Sequence, residues 1–340
     1  MPSVGRRASV RQGSRALASP AVVRILRLVF LVAAVGLSVY AVAARWHEVS
    51  QYLHQIGWGR VALCLPLLLA GLFCGMRAWR SILSGLGSQL PVRPSARIYF
   101  VGQLGKYIPG SIWPLLAQME LGRDHDIPRR RSAAALVIAI MVSLATGLIV
   151  TVLTIPFIDG DRYPTLWWLL VPIPILVALL SPRVLWGCLG RIPVLKMKSS
   201  LPPVLPNRSM AAAVMWATLG WLSYGLHVAV LVGAFRGHGA DRVAVASIGG
   251  YALAWTAGLV AFVLPAGAGA RDVTLVLALS GVVATNPAIA VAVVSRAVTT
   301  VCDVGLATIA GAAAVRVMRR TVPQPPRGAP VNDGMAHSAN

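Results

Sequence analysis

Acidic residues are what this chain has least of. Ten Asp and Glu stand against 31 Lys and Arg in 340 residues, and charged residues of both signs make up only 12%. A soluble domain carries roughly 25% charged residues, so one large water-soluble core is excluded. With 57% hydrophobic residues and a mean hydropathy of +0.73, the composition is that of an integral membrane protein. Cysteine is also scarce. Cys64, Cys74, Cys188 and Cys302 lie in or beside apolar runs, without the CxxC or His/Cys spacing of a zinc or redox site, and read as small core hydrophobes. His47, His54, His125, His227 and His238 are scattered; no metal-ligand spacing is present and no cofactor is expected. Gly102-Gln-Leu-Gly105-Lys106-Tyr107 has neither the spacing nor the Ser/Thr of a P-loop, so no nucleotide-driven step is read. The net charge of +21 does not point to nucleic acid as a partner. Basic residues fall in short clusters between apolar runs, without stacking aromatics, which is the pattern of positive-inside orientation.

What the chain has in abundance is apolar runs of membrane length. Spans are expected near 28–44, 58–77, 132–156, 164–181, 210–235, 243–264, 267–286 and 288–315, each close to the roughly 20 residues that cross a bilayer. Residues 1–27 carry six arginines and no acid, and 1–24 read as a disordered basic cytoplasmic arm. Ala41-Val42-Ala43 resembles a signal-peptidase site, but the run before it is long for a cleaved signal and is read as the first span. Arg77, Arg80, Arg93 and Arg97 fill one connection and Arg183, Arg191, Lys196, Lys198 and Arg208 another, whereas the opposite connections are nearly neutral. The basic side is cytoplasmic, with both termini. Residues 319–340 read as a disordered cytoplasmic tail. The expectation is an all-α, polytopic membrane domain over 25–318. It has about eight transmembrane helices, one or two re-entrant or broken helices, and a weak internal repeat.

Two apolar stretches are broken beside charges. In the first, Lys106 precedes Pro109-Gly110-Ser111; in the second, Arg271-Asp272 follows Pro265, Gly267 and Gly269. Freed backbone groups and ions are costly in hydrocarbon, and paired breaks in two halves of a transporter point to a binding site. Basic loops flank 98–118 on both sides, so that segment reads as a re-entrant pair turning near Pro109-Gly110. The basic C-terminus makes 267–286 an irregular crossing, with a second re-entrant pair as the alternative.

Lys106, Arg271, Asp272, Arg296 and Asp303 are the ionisable residues in or beside these runs. Arg296 and Asp303 are two helical turns apart and share a face. They read either as a structural charge network or as an anion ligand with its orienting partner. Arg271-Asp272 reads as a helix cap or a substrate clamp, and Lys106 as a snorkelling side chain or an anion ligand. Ser111 and Arg271-Asp272 each follow a break and stand where a helix can begin, presenting free N–H groups to an anion. The candidate substrate-binding residues are therefore Lys106, Pro109, Gly110, Ser111, Gly267, Gly269, Arg271, Asp272, Arg296 and Asp303. No catalytic and no metal-binding residue is assigned. Asp124 and Asp126, in a basic loop, read as solvated charge.

Gly105-Lys106-Tyr107-Ile108-Pro109-Gly110-Ser111-Ile112-Trp113 resembles the first-half motif of the lysylphosphatidylglycerol synthase transmembrane-domain family, a flippase-like family. Pro265-Ala-Gly267-Ala-Gly269-Ala-Arg271-Asp272 is similar to its glycine-rich second-half element, and Ser295-Arg296-Ala-Val-Thr299 to the Arg-containing helix that follows. The likeness extends over most of 25–318. It implies a polytopic prokaryotic inner-membrane protein. Some members translocate aminoacylated phospholipids, and others accompany glycosyltransferases in lipid-linked sugar or envelope-lipid pathways. Two departures stand out: the soluble aminoacyl-transferase domain of true synthases is missing, and Asp272 stands where Glu is usual. The leading expectation is translocation or handling of an anionic lipid or polyprenyl-phosphate-linked intermediate for the bacterial cell envelope, in the plasma membrane. Its partners would be membrane lipids or lipid-linked sugars. The alternative is a non-catalytic accessory subunit for a glycosyltransferase or envelope-lipid enzyme. A membrane-embedded transferase lacks a recognisable acid/base pair.

Overall fold

The computed structural model describes residues 51–52, 54–108, 112–158, 205–235, 239–261, 267 and 269–321. The basic arm, the proposed spans 28–44 and 164–181, Cys188, Pro109, Gly110, Ser111 and the tail beyond Thr321 lie outside them. Every described element is helical: α1 (Trp58–Gly85), α2 (Val92–Gln103), a 3-10 turn (Leu104–Tyr107), α3 (Trp113–Arg123), α4 (Arg129–Ile158), α5 (Asn207–Val232), α6 (Ala240–Val260), α7 (Ala270–Leu279) and α8 (Thr285–Thr321). Five of these, α1, α4, α5, α6 and α8, are long and apolar enough to cross a membrane. The chain is an all-α, polytopic membrane protein.

Apolar side chains on all faces make these helices stable in lipid, and small residues let them approach. Helices α1 and α5 pack most extensively and run antiparallel. Gly85 lies against Leu205 and Ser209, Gly71 against Tyr224, and the Cys64 thiol donates to the His227 carbonyl at 3.3 Å. Cys64, Cys74 and Cys302 are free and buried.

The segment 98–118 does form a hairpin. Gly105 faces Pro114 and Gly102 faces Gln118, so α2 and α3 run antiparallel. A Cβ at Gly105 would fall 2.6 Å from the Pro114 backbone nitrogen, so only glycine lets the arms meet near the tip. Pro114 occupies the first turn of α3, where a missing N–H costs nothing. Asp124 is more than solvated charge: it pairs with Arg97 at 3.3 Å and ties the base of the hairpin. Arg129 and Arg123 hold the exposed Glu120 carboxyl below its usual range at the same end.

The second broken segment departs from the expected crossing. Helix α7 has ten residues, about 15 Å, half of the roughly 30 Å hydrocarbon core. It turns back along α6: Gly258 lies against Arg271 and Gly250 against Ala278. Residues 240–279 are therefore a second hairpin: its first arm, α6, falls on the expected span 243–264 and is long enough to cross a membrane, while its short second arm, α7, falls within 267–286. Gly267, at φ +65°, makes this turn; a Cβ there would meet Gly258 at 2.5 Å.

The order long helix, hairpin, long helix thus occurs twice. Arm α2 of the first hairpin packs on α8 of the second half, and arm α6 of the second hairpin packs on α4 of the first. Helix α8 shows that the hairpins point in opposite directions. From tip to base, the first runs from Asp303 beside Lys106 to Gly311 beside Val101, toward the C-terminal end of α8. The second runs from Arg296 beside Asp272 to the turn 280–284 that opens α8. This is the geometry of an inverted repeat.

Candidate functional site

The two hairpin tips meet around a cavity of about 240 Å³ at the centre of the bundle. Its walls include Gly71 and Gly75 of α1, Ser143 of α4, Tyr224 of α5, and Thr299 and Thr300 of α8. Lys106, Arg271 and Arg296 all line it. Residues some 165 to 190 positions apart in sequence therefore share one chamber, as the paired breaks anticipated.

Helix α8 supplies a ligand for each tip. The Asp303 carboxylate, 4% exposed, receives Lys106 Nζ at 2.6 Å and the Tyr107 hydroxyl at 2.7 Å on the same oxygen. The Lys106 side chain is 30% exposed, toward the cavity. It is bound within the protein, which overturns the snorkelling alternative. Arg296 Nη1 lies 3.1 and 3.3 Å from the two Asp272 oxygens. Asp272 also accepts the Gly269 N–H at 3.1 Å, so it caps α7 and anchors Arg296 together; a carboxylate there is favoured by the helix dipole. Arg296 and Asp303 share a face, as their spacing requires, yet each pairs with a different hairpin rather than with the other.

Arg271 differs from the other two cations. Its Nη2 donates to the Tyr251 hydroxyl at 2.7 Å, and its guanidinium carbon lies 4.8 Å from the centroid of that ring. Among the described residues no carboxylate lies within ion-pair distance of it. Among the described residues three cations thus stand against two carboxylates here, and the surplus positive charge is on Arg271. Neither Asp272 nor Asp303 lines the cavity, so the charge the chamber presents is positive. An isolated cation at membrane depth is costly, and a wet cavity or an anion relieves it.

Of the ten candidate residues, Lys106, Gly267, Arg271 and Arg296 line the cavity, while Asp272, Asp303 and Gly269 stand behind it and hold its cations or its turn. Pro109, Gly110 and Ser111 lie outside the described residues. The sequence reading missed the tyrosines. Tyr107 had a signal, since it adjoins Lys106 in the first motif; Tyr251 had none, lying inside the apolar run of α6. Tyr224 stacks on Tyr251 with centroids 5.3 Å apart, and His227 meets the same ring edge-on at 5.1 Å. His227 Nε2 is 2.8 Å from Ser295 Oγ, which joins α5 to α8 one residue before Arg296.

A family model described as the lysylphosphatidylglycerol synthase TM region matches residues 24–307 of the chain. A search of the curated proteins finds none that matches.

Proposed function

This chain belongs to the lysylphosphatidylglycerol synthase transmembrane-region family, and we propose that it translocates an anionic lipid, or a polyprenyl-phosphate-linked intermediate, across a bacterial plasma membrane for envelope biogenesis. The family is one of membrane proteins concerned with lipids. The observation that carries the finer reading is the central cavity, where the described residues leave one positive charge in surplus. A lipid phosphate, with one negative charge, matches that surplus, and Arg271 is its principal ligand.

Size agrees with the assignment. At about 240 Å³ the chamber falls below the roughly 300–1,000 Å³ of sites for drug-sized ligands, so it takes a headgroup while the hydrocarbon tails stay in the bilayer. The opposed hairpins supply the alternating access. Each is joined to α8 by one ion pair, and a phosphate that competes with Asp303 or Asp272 for a cation loosens that joint. Transport rather than catalysis is the reading, because both carboxylates near the cavity are engaged in ion pairs. With both termini cytoplasmic, the first hairpin enters from the cytoplasm and the second from the opposite face.

The test is translocation of fluorescent phosphatidylglycerol and of a polyprenyl-phosphate sugar in proteoliposomes. Arg271→Ala and Lys106→Ala are expected to lower the rate to that of protein-free vesicles while the protein remains folded. Wild-type rates in both variants contradict the assignment.

A further inference from the structure

We propose that His227 is a proton-binding site coupled to the anion, so that a phosphate on Arg271 and a proton on His227 bind and cross the membrane together. This rests on the reading of the cavity as a lipid-phosphate site and adds the ion that moves with the headgroup. His227 is fully buried in α5, a helix long enough to span a membrane. Its Nε2 lies 2.8 Å from Ser295 Oγ. Its Nδ1 makes no well-formed hydrogen bond, and the Tyr224 carbonyl, one helical turn back, stands within reach. A neutral imidazole has one N–H and an imidazolium two. Two oxygens therefore face a ring that in its neutral form donates to only one, and the protonated ring satisfies both.

The charge that opposes such a proton is Arg271. Tyr251 joins the two groups: His227 meets its ring edge-on at 5.1 Å, and Arg271 Nη2 donates to its hydroxyl at 2.7 Å. Arg271 lines the cavity, so the imidazole stands one ring behind the wall. Among the described residues, the helices packed on α5 bring no other unpaired charge to it. On α1, the Cys64 thiol is bonded to the His227 carbonyl and Arg60 to the carbonyls of Ile56 and Gly233. The titratable side chains of α4 are Arg129, Arg130 and Arg131 in its first turn, and Asp241 and Arg242 open α6. On α8, Cys302 is a thiol, Arg296 is paired with Asp272, and Asp303 holds Lys106 and Tyr107. Of these groups only imidazole ordinarily titrates between about pH 5 and 8. A phosphate on Arg271 removes the opposition, and by linkage the proton strengthens the hold on the phosphate by the same factor. A phosphodiester and a proton moving together carry no net charge, so a pH gradient drives the lipid toward the less acidic side.

The test is equilibrium dialysis of the purified full-length protein in a neutral detergent with radiolabelled dihexanoyl phosphatidylglycerol. It is run at about pH 5.5 and about pH 8, either side of the ordinary imidazole pKa; the phosphodiester does not titrate between them. The wild type is expected to bind at least about fivefold more tightly at the lower pH, and to take up protons from weakly buffered solution as it binds. His227→Gln keeps a donor for Ser295 but cannot titrate, and should bind equally at both values, with thermal unfolding confirming its fold. Should that variant unfold, proton uptake by the wild type decides. Equal wild-type affinity at both values without proton uptake, or a pH dependence that persists in His227→Gln, overturns the coupling; where Arg271→Ala still abolishes binding, the phosphate site stands. Absence of binding, or binding indifferent to Arg271→Ala, overturns the phosphate site and the coupling together.

Discussion

Asp303 is the residue whose loss should reach furthest. It is buried, and one of its oxygens serves both Lys106 and Tyr107. Breaking a buried pair by removing one partner costs about 3–5 kcal/mol. Asp303→Asn is expected to cost somewhat less, about 2–3 kcal/mol, because Lys106 still reaches a wet cavity. Thermal unfolding in detergent measures this. The double variant Lys106→Met/Asp303→Leu, which removes both charges, should recover most of the stability while abolishing transport. An additive loss in the double variant contradicts the pairing. The charges themselves were legible in the sequence, since Lys106, Arg271, Asp272, Arg296 and Asp303 interrupt apolar runs. Their pairing was not. Seven residues between Arg296 and Asp303 fix a common face, but which hairpin meets which charge depends on the packing of α2 and α7 against α8. Tyr251 was invisible for a related reason: a tyrosine in an apolar helix is indistinguishable from core until its neighbours are known.

At the scale of elements, the second hairpin depends on Gly267. Its backbone lies at positive φ and against Gly258, so a side chain is disfavoured by both conformation and space. Gly267→Ala should destabilise by at least about 1 kcal/mol and reduce translocation, with Arg271 displaced from Tyr251. A melting temperature and rate unchanged from wild type contradict that role. The first hairpin was readable because arginines mark both of its ends. For the second, read as an irregular crossing with a re-entrant pair as the alternative, no charged residue falls between Arg242 and Arg271, nor between Asp272 and Arg296, to decide between the two. Loop charge can orient a segment only where charge exists, and here glycine packing decides the path instead.

Across the whole molecule, the hairpins enter from opposite ends of α8 and meet where Arg296 and Asp303 stand, about 10 Å apart along the helix axis. Ser88, at the base of the first, and Ser280, at the base of the second, should therefore face opposite sides of the membrane. In a background without the native cysteines, Ser88→Cys and Ser280→Cys are expected to react with a membrane-impermeant maleimide from opposite faces. Labelling of both from one face contradicts the inverted arrangement. The central claim is that the surplus positive charge at Arg271 holds a lipid phosphate. Native mass spectrometry of the protein released gently from its membranes tests it most directly. A phosphate-bearing lipid adduct retained by the wild type and lost in Arg271→Ala is the predicted result; equal retention by both, or an adduct without phosphate, would contradict it.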